Sequence, residues 1–229
     1  MLEALDIRAS YGRIPALNGV SLAVAAGEAI GILGHNGMGK STLLKTLMGY
    51  LPLTGGSIRF DGADIGREPT HRRARLGLAY VPQGREIFPF LTVAENLRMA
   101  ARADSSIDEV LADFPALEPL VGRQGGSLSG GQQQILAIAR CMTMRPKCIL
   151  LDEPTEGIQP SIVEEIADML ARLRATRRLA LVIVEQRLAF VAGLAGRVLV
   201  MQKGSIVKEI PAIGLGDRVA IEEIVGMGA

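Results

Sequence analysis

The stretch Gly34-His35-Asn36-Gly37-Met38-Gly39-Lys40-Ser41 decides the fold of this chain. It has the spacing G-x-x-x-x-G-K-[ST] of a P-loop. The apolar run 29–33 before it predicts a buried strand, and residues 40–48 after it place leucines on one helical face. Glycines let the backbone curl so that its N–H groups point at an anion, and the helix N-terminus adds partial positive charge. Strand, loop and helix together predict a phosphate site rather than an ordinary glycine-rich turn.

Two side chains of this loop have predicted roles. Lys40 is expected to reach the β- and γ-phosphates of a nucleotide, and the Ser41 hydroxyl to bind Mg²⁺. The predicted nucleotide-binding residues of this segment are Gly34, His35, Asn36, Gly37, Met38, Gly39, Lys40, Ser41 and Thr42.

Composition narrows the class of protein. The 229 residues are 48% hydrophobic but only 3% aromatic, so aliphatic side chains must build the core. With 27 glycines and recurrent apolar runs, we expect an α/β architecture with a parallel sheet. The net charge of +1 gives no electrostatic reason to expect nucleic acid as a partner. Cys141 and Cys148 lack a histidine at metal-binding spacing, so both are interpreted as small hydrophobic residues in a reducing compartment.

A second strand carries two acids. The apolar run 147–151 leads into Asp152 and Glu153. At the carboxyl end of a parallel strand, Asp152 lies on the side of the sheet where the P-loop lies, and it is predicted to hold Mg²⁺. Glu153 is a candidate to orient or deprotonate an attacking water. The alternative, two solvated loop acids, is weaker because a P-loop lies upstream.

Residues 84–126 are punctuated by prolines and show helical rather than strand patterns. Thr92 with Glu95 predicts a capping box, and Ser129 predicts the N-cap of a helix that runs to about residue 144. Glycines beside Ser129 make this helix start a second potential anion site, although a simple capped helix explains the pattern equally well. We interpret the segment as a helical subdomain inserted into the core.

Three features have ambiguous meaning from the residues alone. Tyr11, in a predicted turn at 10–12 after a strand at 2–9, could stack on a purine base or be a half-buried turn residue. Gln83 follows the predicted strand 76–81 near the expected ligand crevice, where it could also satisfy local backbone. The basic cluster 71–75 is predicted to be a solvated helix face.

The chain resembles the ATP-binding subunit of an ABC transporter along its whole length. The motif Leu128-Ser129-Gly130-Gly131-Gln132 is similar to the family's signature motif, and it lies between the P-loop and the run Leu150-Leu151-Asp152-Glu153. The resemblance implies one ATPase domain, with a core of residues 1–83 and 146–229, N-terminal antiparallel strands, and a helical subdomain at 84–145.

The resemblance also implies residue roles, with ATP and Mg²⁺ as cofactors. Tyr11 would stack on adenine, Gln83 would touch Mg²⁺ and water, and Glu153 would be the catalytic carboxylate. Gln186 is predicted to be catalytic together with Glu153 and Gln83, since its amide can hydrogen-bond a γ-phosphate or water. The predicted metal site is therefore Ser41, Gln83 and Asp152. Residues of the signature motif would bind the γ-phosphate of ATP held by a second subunit, namely Ser129, Gly130, Gly131 and Gln132.

Segments 83–89 and 91–97 are similar to ATPases of branched-chain amino-acid importers, and residues 152–160 look most like the urea-type branch of that group. The implied partners are a second ATPase subunit, membrane permease subunits and, indirectly, a periplasmic solute-binding protein. Without a visible targeting segment, we expect a cytoplasmic protein attached to the inner face of the membrane through the permeases.

Two departures from the family leave alternatives open. Gln159 replaces a common aspartate, and Gln186 replaces a common histidine that can carry a proton at neutral pH. The chain is therefore either an importer ATPase or a poorly hydrolysing ATP clamp beside a more active partner. An ABC-type ATPase acting on nucleic acid is a third reading, but the chain lacks room for the long arms or second cassette that such proteins use.

Overall fold

A computed structural model describes residues 1–101 and 105–211 of the chain. The short amphipathic helix predicted for residues 214–226 lies outside the described residues. Within them the predicted α/β class is confirmed. The strands are β1 (Leu2–Tyr11), β2 (Ile14–Val24), β3 (Ala29–Leu33), β4 (Gly55–Phe60), β5 (Ala63–Asp64), β6 (Leu78–Val81), β7 (Cys148–Asp152), β8 (Ala180–Val184), β9 (Arg197–Gln202) and β10 (Ser205–Pro211).

Helices connect most of these strands. The α-helices are α1 (Lys40–Met48), α2 (Thr70–Leu76), α3 (Val93–Ala100), α4 (Ile107–Asp113), α5 (Gly130–Met142), α6 (Pro160–Arg177) and α7 (Leu188–Leu194). Two short 3₁₀ segments, Pro115–Leu120 and Gly125–Ser127, lie between α4 and α5. The predicted helical character of the insertion between β6 and β7 is thus confirmed for its described residues, including the Thr92–Glu95 capping box.

The main sheet places the candidate site residues at the carboxyl ends of its parallel strands. Its strand order is β10-β9-β3-β8-β7-β6, and β3 pairs in parallel with both β8 and β9 while β7 pairs in parallel with β6 and β8. Parallel strands share their carboxyl ends, so the segments that follow β3, β6, β7 and β8 converge there. A separate antiparallel sheet has the order β2-β1-β4-β5.

Both faces of the central strands are buried, which explains their unbroken apolar sequence. In β7, Ile149 and Leu151 pack into a cluster with α5 and α6, while Cys148 and Leu150 pack on the other face with α1 and the antiparallel sheet. Helix α1 contributes Leu43, Leu44 and Leu47, all fully buried, to that second cluster. The P-loop is therefore fixed between a buried strand and a buried helix.

The expectation of a solvated basic face at 71–75 is wrong for Arg73, which is only 2% exposed. Its guanidinium donates hydrogen bonds to four backbone carbonyls, those of Thr46, Leu47, Gly66 and Glu68. Two of these carbonyls belong to the last turn of α1, where the helix leaves its carbonyls without internal partners. Arg73 therefore caps the P-loop helix instead of facing water, and burial lowers its pKa.

The first hairpin also differs from the prediction. Tyr11 is the last residue of β1 rather than a turn residue, and the turn is Gly12–Arg13. The sequence predicts the second strand only at 20–24, whereas β2 begins at Ile14. Irregular register between the two strands breaks the alternation of apolar and polar residues, which hid the beginning of β2. Similarly, the strand predicted from residue 76 begins at Leu78, because Leu76 ends α2.

Candidate active site

A cleft of about 740 Å³ opens at the carboxyl ends of the parallel strands of the main sheet. Its walls come from the hairpin β1–β2, the P-loop, and the segments after β6, β7 and β8. Predicted site residues that line it include Tyr11, Lys40, Ser41, Gln83, Glu153 and Gln186. The structure thus brings together residues that lie up to 175 positions apart in the chain, counted from Tyr11 to Gln186.

Two P-loop glycines are required by close backbone approaches. A Cβ on Gly34 would lie 2.4 Å from the carbonyl oxygen of Met201. Gly39 has φ +99°, in the left-handed region, and a Cβ there would lie 3.1 Å from the carbonyl oxygen of Ala16. A larger residue at either position would push the loop away from the sheet, so these glycines keep the loop closed around the start of α1.

The side chain of Lys40 is buried inside the loop. Its Nζ donates to the carbonyl oxygens of Gly34 at 2.7 Å and His35 at 3.0 Å, and it lies 4.0 Å from Oε1 of Glu153. Burial lowers the pKa of Lys40, and the carboxylates of Glu153 and Asp152 act against that shift. The ammonium therefore lies at the floor of the cleft, where phosphate oxygens would replace its carbonyl partners.

Asp152 joins the P-loop to two neighbouring strands. Its Oδ1 accepts a hydrogen bond from the Ser41 hydroxyl at 2.9 Å, and its Oδ2 accepts one from the Tyr80 hydroxyl at 2.9 Å. Burial raises the pKa of Asp152, while the two hydroxyls favour the carboxylate. The predicted proximity of Ser41 and Asp152 is confirmed, and it leaves the lone pairs of the serine oxygen available to a cation.

Glu153 adopts a strained backbone. Its φ of +47° lies in the left-handed region, which is uncommon outside glycine, and its N–H donates to the carbonyl of Val184 at 2.9 Å. This turn directs its carboxylate into the cleft, where Oε1 accepts a hydrogen bond from Nε2 of Gln186 at 3.0 Å. The carboxylates of Glu153 and Asp152 therefore have different partners, Gln186 for the first and the Ser41 and Tyr80 hydroxyls for the second.

Gln83 also lines the cleft, close to Glu153. Its Nε2 donates to Oε2 of Glu156 at 2.9 Å and lies 3.5 Å from Oε2 of Glu153. Both of these contacts are with carboxylates. The predicted role of Gln83 at a metal ion stays a prediction. Tyr11 is 49% exposed at the mouth of the cleft, where its ring is available for stacking.

The remaining P-loop residues make structural contacts. Asn36 Oδ1 accepts a hydrogen bond from Gln186 Nε2 at 2.9 Å. Met38 holds the turn between β9 and β10, because its carbonyl and sulfur accept from the N–H groups of Gly204 and Lys203. The carbonyl of Thr42 accepts from the hydroxyl of Thr46 within α1.

The segment 129–132 lies elsewhere. Ser129 caps α5, and its side chain and that of Gln132 exchange hydrogen bonds with each other's backbone N–H groups. Gly131 is packed so closely on α6 that a Cβ would lie 2.5 Å from Cγ2 of Ile162. Among the described residues, those that line the nucleotide cleft do not include residues 129–132. Their predicted contact with a second subunit's nucleotide stays a prediction.

Two site residues were not predicted from the sequence. Tyr80, on β6, donates to Asp152, and Glu185, after β8, accepts hydrogen bonds from the loop that follows Glu153. The only signal in the sequence was that Tyr80 lies in the predicted strand 76–81, just before Gln83. A tyrosine in a buried strand needs a partner for its hydroxyl, but sequence cannot name that partner.

The fold and the site define a P-loop nucleoside triphosphatase: a phosphate cradle with its lysine, a strand-end aspartate bonded to the P-loop serine, and a carboxylate facing the cleft. A family model described as ABC transporter matches residues 17–156, more than half of the chain. The chain belongs to the ABC transporter family, and it is an ATP-hydrolysing subunit of that family.

Two similar proteins match most of the chain. The chain is 39% identical to the high-affinity branched-chain amino acid transport ATP-binding protein BraG of Pseudomonas aeruginosa, over 90% of this chain and 91% of the relative. It is 36% identical to the probable branched-chain amino acid transport ATP-binding protein LivF of Archaeoglobus fulgidus, over 81% of each. A similar solved structure is a dimeric post-hydrolysis state of an ATP-binding cassette bound to ADP and Pi, with 26% identity, a TM-score of 0.82, and coverage of 93% of this chain and 99% of that one.

No helix within residues 1–101 and 105–211 combines the length and the apolar character needed to cross a membrane.

Proposed function

We propose that this chain hydrolyses ATP to power the import of branched-chain amino acids. The observation that carries the proposal is the contact set around Glu153 and Lys40, because it is the arrangement that phosphoryl transfer to water needs. The choice of solute rests on BraG and LivF, which are branched-chain amino acid transport proteins by name. Urea and other small polar solutes are the competing cargo within the same group.

The chain's own residues fit Mg²⁺·ATP. The Ser41 hydroxyl, Asp152 carboxylate and Gln83 amide supply the oxygen atoms that Mg²⁺ prefers. Bound Mg²⁺ would neutralise charge on the β- and γ-phosphates. Asp152 orients the serine hydroxyl, and Tyr80 in turn holds Asp152. The ring of Tyr11 provides a surface on which the adenine base stacks.

Hydrolysis then depends on charge and orientation. Lys40 and the P-loop N–H groups stabilise the negative charge on the phosphoryl group in transit. Glu153 orients the attacking water and accepts its proton, while the Gln186 amide holds the Glu153 carboxylate in the cleft. Gln186 carries no titrating proton, so its part is orientation.

The proposal includes partners. A second ATPase subunit would complete the nucleotide site with residues 129–132, which are capped and held at the start of α5 but lie outside this chain's own cleft. The dimeric state of a similar cassette supports such a pairing. Permease subunits would respond to the conformational change of the two ATPase subunits and hold this chain at the inner face of the membrane. A periplasmic solute-binding protein would deliver the solute to the permeases.

The test measures the uptake of labelled solutes by cells in which the gene for this chain is deleted and then restored. We expect leucine, isoleucine and valine uptake to fall on deletion and to return with the parent chain but not with Lys40→Ala. Urea uptake measured in parallel tests the competing cargo. Unchanged branched-chain amino-acid uptake in the deletion strain would overturn the assigned solute.

A further inference from the structure

A buried carboxylate connects two loops of the active site. Glu185 follows β8 and is only 3% exposed. Its Oε1 accepts hydrogen bonds from the N–H of Thr155 at 2.9 Å and from the Thr155 hydroxyl. Its Oε2 accepts from the N–H groups of Gln186 at 2.7 Å and Arg187 at 3.0 Å. Each carboxylate oxygen thus binds two donors from one of the two loops.

The connection reaches the reacting groups at both ends. Thr155, fully buried, lies two residues after Glu153 in the same loop. Gln186 is the next residue after Glu185, and its side chain donates to both Glu153 and Asn36. Glu185 therefore holds the backbone N–H of Gln186 directly, and it holds the loop that carries Glu153 through Thr155.

We propose that Glu185 is a positioning residue for ATP hydrolysis. Together with Thr155 and the N–H of Gln186 it forms what we call the clasp. The clasp holds the loop of Glu153 and the loop of Gln186 in a fixed position relative to each other. The inference rests on the ATPase activity of the site described above. It assigns to Glu185 no contact with nucleotide or water, and its effect passes through the orientation of Glu153 and Gln186.

The chemistry of the contacts explains why an acid is needed. A carboxylate has two acceptor oxygens and no donor, so it satisfies donors from both loops at once. An amide of the same shape would present an NH₂ group to one pair of donors and could satisfy only the other pair. Because a buried ionised carboxylate is costly unless fully hydrogen-bonded, each donor of the clasp also keeps Glu185 in place.

The test compares isosteric variants by steady-state kinetics. Thr155→Val removes the hydroxyl donor and retains the backbone N–H, whereas Thr155→Ser keeps the hydroxyl. The matched control is Thr143→Val, because Thr143 is 1% exposed and its hydroxyl donates at 2.7 Å to the carbonyl of Arg140, away from the nucleotide cleft. All variants are measured for kcat, KM for Mg·ATP and Tm.

Misplacement of reacting groups by a fraction of an ångström lowers the rate of chemistry more than binding. We expect Thr155→Val to lower kcat by about tenfold and Glu185→Gln to lower it further, with KM changed by less than about twofold. Thr155→Ser should restore kcat to near the parental value. Thr143→Val should lower Tm as much as Thr155→Val does, with kcat unchanged.

Suppose that Thr155→Val has the parental kcat and loses as much Tm as the control. The positioning role of Glu185 is then wrong, and the hydrogen bonds between Glu185 and Thr155 are structural only. If Glu185→Gln does not fold, the threonine variants alone decide. The parent chain's own kcat tests the ATPase activity separately, so a failure of the clasp is distinguishable from a failure of the proposed function.

Discussion

The side-chain amide of Gln186 donates at 3.0 Å to Oε1 of Glu153, and the same nitrogen donates at 2.9 Å to Oδ1 of Asn36 in the P-loop. Three segments of the chain, those after β3, β7 and β8, therefore meet through one amide group. A glutamine can make both bonds without changing its charge between pH 5 and 8. The absence of histidine at this position thus does not leave Glu153 without an orienting partner.

The first prediction concerns Glu153 as the general base. Glu153→Gln keeps the shape of the side chain but removes its capacity to accept a proton, so we expect the ATPase kcat to fall by about 100-fold or more. Binding of Mg·ATP should persist because Lys40 and the P-loop N–H groups are unchanged. Steady-state ATPase assays and calorimetric titration with Mg·ATP measure the two effects.

Glu156→Gln is the matched control, because Glu156 lines the same cleft but accepts its hydrogen bond from Gln83. We expect at most a severalfold loss of kcat in this variant. If Glu153→Gln hydrolyses ATP as fast as the parent, the role assigned to Glu153 is wrong. An accumulation of dimer on adding Mg·ATP to that variant, measured by light scattering, is the expected accompanying result.

The second prediction concerns Gln186. Gln186→Ala removes both hydrogen bonds and should lower kcat by about tenfold, since Glu153 loses its orienting donor. Gln186→His restores a donor that also titrates, with an unperturbed pKa of about 6.5. Below that pH the imidazolium would pair with the Glu153 carboxylate and weaken it as a base, so kcat of this variant should be lower at pH 6 than at pH 8.

The parent, whose glutamine does not titrate, should lack that pH-dependent step, and the ratio of variant to parent kcat isolates it. A ratio that stays constant from pH 6 to 8 would mean that residue 186 does not act on Glu153.

The third prediction concerns Tyr80. Burial, followed by the charge of Asp152, raises the pKa of the Tyr80 hydroxyl well above its usual value near 10. The folded protein therefore keeps the proton that the unfolded chain releases near pH 10. The resulting stabilisation is fully present below pH 10 and is lost as the pH rises beyond it.

Tyr80→Phe removes this hydrogen bond, and we expect it to lower the free energy of unfolding by about 1–2 kcal/mol at pH 7. The difference from the parent should narrow above pH 10. Urea denaturation at pH 7, 9 and 10.5 measures it, with Tyr11→Phe as a control because Tyr11 is 49% exposed. A parent–variant difference that grows with pH would contradict the assigned contact.

Much of the fold was predictable because its strongest signals are local. Neighbouring residues specify the P-loop, the strand that ends at Asp152, and the Ser129 and Thr92 caps. Each prediction combined a periodic apolar pattern with residues whose chemistry marks an element's end. The convergence of these segments then followed from parallel strand order, which the P-loop motif and the buried runs indicated.

The unpredicted contacts of Tyr80 with Asp152, and of Arg73 with the end of α1, join positions far apart in the sequence. Nothing beside Tyr80 indicates that its hydroxyl meets Asp152, 72 positions later. Nothing within 71–75 distinguishes Arg73 from its solvated neighbours, since its carbonyl partners lie in α1 and before α2. Helical periodicity shows which residues share a face, but not which neighbouring element covers one arginine among several.

The fourth prediction follows from that arginine. Arg73→Lys keeps the charge but replaces a planar group that reaches four carbonyls with an ammonium that has three donors and no fork geometry. A charged group left with too few partners in a buried site is destabilising, so we expect a loss of about 3 kcal/mol in the free energy of unfolding by urea. Arg75→Lys, on the exposed side of the same helix, is the control and should change stability by less than about 0.5 kcal/mol.

Because Arg73 caps the helix that begins at Lys40, Arg73→Lys should also bind Mg·ATP more weakly in calorimetric titration. Equal stability of the two variants would show that the bonds to the end of α1 contribute nothing to folding.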